Sequence, residues 1–158
     1  MGQVTHEQVN LLLRLYDTRR EPRLREARDW FGANFHPKTP EDAMRIAPPG
    51  SRENAFLRMV VSYWEMVASI VNRGLIDEDF FFENTGEQWV VFEQVKPILA
   101  AWRAMFNSPK FLANLEEQCR RLEGWREQRN PGSNESIRKM MAQMQQMMQT
   151  QKSQSAGN

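Results

Sequence analysis

Six acids, Asp77, Glu78, Asp79, Glu83, Glu87 and Glu93, follow one another along the chain with no basic residue between them. Carboxylates grouped in this way are the raw material for a magnesium or calcium site, or for paired general acid–base chemistry. The D-x-D-x-D-G spacing of a calcium loop is missing. Asp77, Glu78 and Asp79 also stand where a helix is expected to begin, and negative charge there stabilises the helix dipole without any catalysis. The structural account is favoured, and no metal or other cofactor is expected.

The opposite charge gathers near the start, where Arg14, Arg19, Arg20, Arg23, Arg25 and Arg28 outnumber Asp17, Glu21 and Glu26. Arg19, Arg20 and Arg23 are the candidate phosphate contacts, with Trp30 near enough in sequence to stack on a base. Interleaved acids favour a solvated, salt-bridged face, so nucleic acid is the disfavoured partner. The two segments are complementary. A basic N-terminal hairpin meeting the acidic stretch 77–93, within one chain or between two, would make association or stability sensitive to salt.

Other chemistries find less support. Zinc needs several converging ligands, yet the chain has two histidines, His6 and His36, and a single cysteine, Cys119. Cys119 paired with His36 as a nucleophile is weaker than Cys119 as a packing thiol, because it falls on an apolar stripe between Leu115 and Leu122. There is no G-x-S-x-G elbow, no Walker lysine loop and no G-x-G-x-x-G turn. Glu65 and Arg73 remain as a possible polar pair in an interhelical pocket, the basis of a small-molecule-binding or hydrolytic alternative.

These residues must be positioned by helices. Thr5 and Gln8 read as a capping box before a helix over about 6–20, with Val9, Leu12, Leu13 and Tyr16 at helical spacing. Pro22 opens a second helix with Leu24, Ala27, Trp30 and Phe31 on its buried face, and Thr39-Pro40 opens a short third. Pro48-Pro49-Gly50 is a loop, after which Ser51 caps a long helix over about 52–73. That helix is apolar nearly all round, through Phe56, Met59, Val60, Tyr63, Trp64, Val67, Ile70 and Val71, so other helices must enclose it. Its one polar stripe, Arg58, Ser62, Glu65, Ser69 and Asn72, is read as a solvent edge in preference to a strip against a neighbour. Gly74 suits a left-handed helix end and Asp77 caps a short helix over 78–84. Three consecutive aromatics there, Phe80, Phe81 and Phe82, cannot all face one core, which marks Phe81 and Phe82 as a contact surface.

A helix from about 86 to 106 follows, with Trp89, Phe92, Ile98, Leu99, Trp102 and Met105 inward and a kink or break expected around 94–96 because of Pro97. Ser108-Pro109 reads as the cap and first turn of the next helix, whose stripe is Phe111, Leu112, Leu115, Cys119, Leu122 and Trp125. The tryptophans Trp30, Trp64, Trp89, Trp102 and Trp125 are dispersed among the major helices, as one aromatic core requires. Asn130-Pro131-Gly132-Ser133-Asn134 is a linker, dividing a helical domain, 1–130, from a tail, 131–158. The tail holds Met140, Met141, Met144, Met147 and Met148 of the ten methionines in the chain. Ile137, Met141, Met144 and Met148 give it an adaptable amphipathic face for a partner helix, a second copy or a groove, unless the tail is a frayed terminus.

The run Val61-Ser62-Tyr63-Trp64-Glu65-Met66-Val67-Ala68-Ser69-Ile70-Val71-Asn72-Arg73-Gly74-Leu75-Ile76-Asp77-Glu78-Asp79, followed by Trp89, Pro97 and Asn107-Ser108-Pro109, resembles domain of unknown function 4760. This is a family of small, mostly bacterial helical proteins, and the resemblance covers roughly residues 22–125. It implies a helical fold and confers no activity, substrate or catalytic residue. Some relatives carry an N-terminal membrane anchor, which is not expected here.

Composition agrees with a folded domain: 158 residues, 41% hydrophobic and 26% charged, with a formal net charge of +1. Near-neutral charge does not advertise a nucleic-acid or membrane partner. The single cysteine and the absence of a basic, apolar leader lead to a cytoplasmic expectation. The sequence therefore predicts an all-α bundle of six or seven helices with a C-terminal Met/Gln-rich helix or disordered tail. Its expected role is a non-enzymatic interaction or regulatory protein that binds a protein partner or itself. Phe81, Phe82, Met141, Met144 and Met148 are the tentative contacts.

Overall fold

The computed structural model describes residues 2–156. Met1, where the search for a leader begins, and Gly157 and Asn158, the end of the expected tail, lie outside them. Among the described residues there are eight helices and no strand: α1 (His6–Arg19), α2 (Pro22–Asn34), α3 (Pro40–Ile46), α4 (Arg52–Asn72), α5 (Glu78–Asn84), α6 (Glu87–Met105), α7 (Ala113–Arg129) and α8 (Ser133–Ser155). The sequence predicts six or seven, with a tail that is either helical or disordered. Two compact units divide the chain, one ending at Cys119 and the next beginning at Arg120.

In the first unit, side chains close the helix starts. The Thr5 hydroxyl accepts from the Gln8 amide, Ser51 from Asn54, and Asp77 from Phe80. Thr39 and Asp42 form a reciprocal capping box at α3. Each such cap satisfies a first-turn N–H that has no partner within its own helix. Gly74 follows α4 at φ +74°, the left-handed conformation that glycine adopts without a Cβ penalty.

The core gathers around α4, which buries Phe56, Leu57, Val60, Val61, Tyr63, Trp64, Val67, Ala68 and Val71. Phe31 and Phe35 stack at 5.1 Å, and Phe35 stacks on Trp102 at 6.2 Å, so α2 and α6 meet through aromatic faces. Each fully buried aromatic of this kind contributes on the order of 1.5–3 kcal/mol through area. At the end of α2 the buried Gln94 amide donates to the carbonyls of Phe31 and Phe35 at 3.2 and 2.9 Å, serving the last turn of a helix that cannot serve itself.

Three expectations are corrected. The break expected at Pro97 is absent: α6 is one helix through that residue, which lies exposed on it. α7 begins at Ala113 and not at Ser108-Pro109. Asn107 and Leu112 adopt left-handed backbone at φ +48° and +57°, and residues 109–112 form a turn. On α1 the buried residue is Leu15, while Leu13 and Tyr16 of the expected inward face are exposed.

The second unit is an antiparallel helical hairpin made from the end of α7 and α8. Asn130-Pro131-Gly132 is its turn, with Gly132 at φ +80° and its amide bonded to the Glu127 carboxylate at 2.9 Å. Arg138 pairs with Glu123, Asn134 donates to the Glu123 carbonyl at 3.0 Å, and Arg129 lies over the Trp125 ring.

Candidate functional site

One carboxylate organises the charges of the first unit. Arg28 grips Glu87 with two hydrogen bonds of 2.6 and 2.5 Å, and Arg19 reaches the same carboxylate at 3.2 Å. Arg28 also donates to the Arg19 carbonyl at 3.1 Å, which ties the end of α1 to α2. All three side chains are mostly sheltered, and the hydrogen bonds from Glu87 hold the Arg28 guanidinium above its ordinary range against the opposing effect of burial. The basic hairpin and the acidic stretch therefore meet within one chain, through Glu87.

Beside this cluster lies a cleft of about 220 Å³. Leu12, Leu15, Tyr16 and Arg19 of α1 form one wall, and Tyr63, Trp64 and Val67 of α4 with Phe81 of α5 form the other. Burial pushes the Tyr63 phenol up to about 12, so it remains a neutral hydroxyl, donating to the Leu15 carbonyl at 2.5 Å. Trp64 is 1% exposed, yet its indole N–H has no hydrogen-bond partner, and neither does the buried Nε of Arg19.

A second hollow of different character opens along another side of α4. Leu57, Arg58 and Val61 of α4, Ala43 and Met44 of α3, and Trp102 and Met105 of α6, with Phe106 and Phe111 beyond its end, line an apolar groove of about 290 Å³. Its lips are unusually bare: Met44, Met105 and Phe106 are 52%, 55% and 51% exposed. Met105, expected inward, lies at the surface because α6 is ending there and its last turn overhangs the groove. Phe106 meets Phe111 edge to face at 5.3 Å, which fixes this lip. Arg58 is the one charged residue among those lining the groove, and its guanidinium has no ion-pair partner among the described residues.

The other residues singled out by sequence go elsewhere. Glu65 accepts from the backbone amides of Asn114 and Leu115 at 3.2 and 2.8 Å and from the Asn114 side chain at 2.9 Å, so it is the N-terminal cap of α7. Arg73 is exposed and turns back to Ser69, and neither Glu65 nor Arg73 lines the cleft or the groove. The polar stripe of α4 is thus divided. Arg58 and Ser62 face solvent, while Glu65 and Asn72 bind the start of α7. Phe81 and Phe82 are buried and Phe80 is half-buried, which corrects the expectation of an exposed aromatic face: α5 is short and covered on more than one side.

Arg19 is held by Glu87, Arg23 pairs with Glu26, and Arg20 lies over the Tyr16 ring at 5.4 Å. Cys119 is buried with its thiol 3.6 Å from the Gln88 carbonyl, and His36 sits between the Gly32 carbonyl and Gln94. No group of three His, Cys, Asp or Glu side chains that would hold a metal ion occurs among the described residues. On α8, Met141 and Met148 are half-buried and Met144 is exposed, together with Met140 and Met147. The groove was not legible in the sequence, where Met44 carries no signal and Met105 reads as core.

Residues 4–122 match the family model described as a domain of unknown function, DUF4760, and the chain belongs to that family. No curated protein and no solved structure matches it. No helix among the described residues is long and apolar enough to cross a membrane.

Proposed function

We propose that this DUF4760 chain is a non-enzymatic binding protein, and that the groove bounded by Met44, Met105 and Phe106 receives an amphipathic helix of a protein partner. The observation that carries this reading is the concentration of three half-exposed large apolar side chains around one hollow, beside an arginine with no counter-charge. Methionine lips accommodate an apolar ridge of varied shape, and an apolar trough with a charged rim is the usual setting for a helix that presents large residues at every third or fourth position. Arg58 fixes the sign of the partner: its helix carries a carboxylate beside the apolar ridge. The candidate reactive groups support a non-enzymatic role, since Cys119, His36, Glu65 and Glu87 are each engaged in packing, capping or pairing. One buried cysteine supports a cytoplasmic setting.

The test titrates the full chain with two synthetic helical peptides followed by fluorescence anisotropy. Both carry leucines at helical spacing; one has glutamates flanking the ridge and the other lysines. The acidic peptide is expected to bind about tenfold or more tightly than the basic one, Arg58→Glu to reverse the preference, and Phe106→Asp to abolish binding. Equal binding of both peptides, no binding, or binding unaffected by Phe106→Asp overturns the proposal.

A further inference from the structure

Two of the three bare lips of the groove are thioethers. Met44 and Met105 both line it, and at 52% and 55% exposed neither is sealed from a small solute. The third lip, Phe106, carries no sulfur and is held edge to face on Phe111. The one thiol of the chain, Cys119, is 1% exposed, and the other strongly exposed methionines, Met66, Met140, Met144 and Met147, do not line the groove. Oxidation follows exposure, so a dissolved peroxide reaches these two sulfurs and not the thiol. A thioether is apolar and adaptable, whereas its sulfoxide is polar and carries a hydrogen-bond acceptor. The part of a docked helix that meets these lips is its apolar ridge, which offers the new oxygen no donor. Seating the helix would then strip water from a polar group without replacing its hydrogen bond.

We propose that Met44 and Met105 are reversible oxidation sites, and that their conversion to sulfoxides by hydrogen peroxide closes the groove to its helical partner. This rests on the reading of the groove as a helix-binding site. In the forward step a sulfur lone pair attacks one peroxide oxygen, the S–O bond forms as the O–O bond breaks, and a proton passes from the incoming oxygen to the departing one, which leaves as water. Sulfur is oxidised and the peroxide reduced. Methionine sulfoxide reductases, one for each epimer, restore the thioether; the oxygen leaves as water and a dithiol is oxidised to its disulfide.

The test treats the full chain with hydrogen peroxide under native conditions, removes the oxidant and titrates with the acidic leucine peptide by fluorescence anisotropy. Peptide mapping by mass spectrometry locates each added oxygen. Met44 and Met105 are expected to gain one oxygen each, the peptide to bind about tenfold or more weakly, and the two reductases to restore binding. Each protein is compared with itself before and after peroxide, whatever its starting affinity. Met44→Leu with Met105→Leu, a pair of volume-conserving changes at exposed positions, is expected to be indifferent to the treatment. Met66→Leu with Met140→Leu and Met147→Leu is expected to lose binding on oxidation as the parent chain does. Failure of the untreated chain to bind the acidic peptide removes the helix-binding reading and this inference together. Equal binding before and after with both lips oxidised, an undiminished loss in the Met44→Leu, Met105→Leu chain, or lips left unmodified while the other exposed methionines are oxidised overturns the switch alone.

Discussion

α4 lends two of its sides to two hollows, and charge is handled differently at each. At the cleft, two arginines converge on one carboxylate and hold α1, α2 and the start of α6 together. At the groove, Arg58 stands on an apolar lining with no opposite charge. A charge that is sheltered and paired is part of the fold, and removing its partner strands it. A charge left at the edge of an apolar surface contributes little to the fold and is available for selection of a partner.

The largest expected effect comes from breaking the paired side. Glu87→Gln leaves Arg19 and Arg28 without their anion, and unfolding by urea should show a loss of about 2–4 kcal/mol. A loss within the ordinary surface range of about 0.5 kcal/mol would erase the contrast. A smaller effect follows from pH. Burial raises the folded Tyr63 value to about 12, against about 10 in an unfolded chain. The native state therefore keeps a proton that the unfolded state releases. The associated stability is complete below about pH 10 and is lost as pH rises toward 12, by about 2 kcal/mol at most. Urea curves from pH 9 to 11.5 should decline less steeply for Tyr63→Phe than for the parent chain; identical slopes would place the phenol in contact with water. The smallest effect belongs to the unpaired side: Arg58→Glu should leave unfolding stability within about 0.5 kcal/mol while it inverts the peptide preference.

Local chemistry was legible in the sequence. Thr5, Thr39, Ser51 and Asp77 cap the helices they precede, and Gly74 takes the left-handed end after α4. Each of these depends on residues within a few positions of one another. Features decided by distant residues were half seen or missed. Complementary charge suggested that the basic and acidic segments meet, but not that Glu87 alone would take both Arg19 and Arg28. The Ser108-Pro109 start is a strong local signal that lost to a carboxylate on another helix. Leu13, Met105 and Phe81 were misplaced between surface and core because helical periodicity says that a face is apolar and not which neighbour is there to cover it. Both hollows are of this second kind, since each draws its lining from at least three helices.

The cap of α7 has a consequence for the order of assembly. The acceptor for its first amides belongs to Glu65, fifty residues before Leu115, so the segment beginning at Ala113 cannot complete its opening turn from its own sequence. On a chain emerging from the ribosome the receptor is made before the amides that it will hold. The opening turn of α7 therefore has its cap only where α4 is already formed, and loses it whenever α4 gives way.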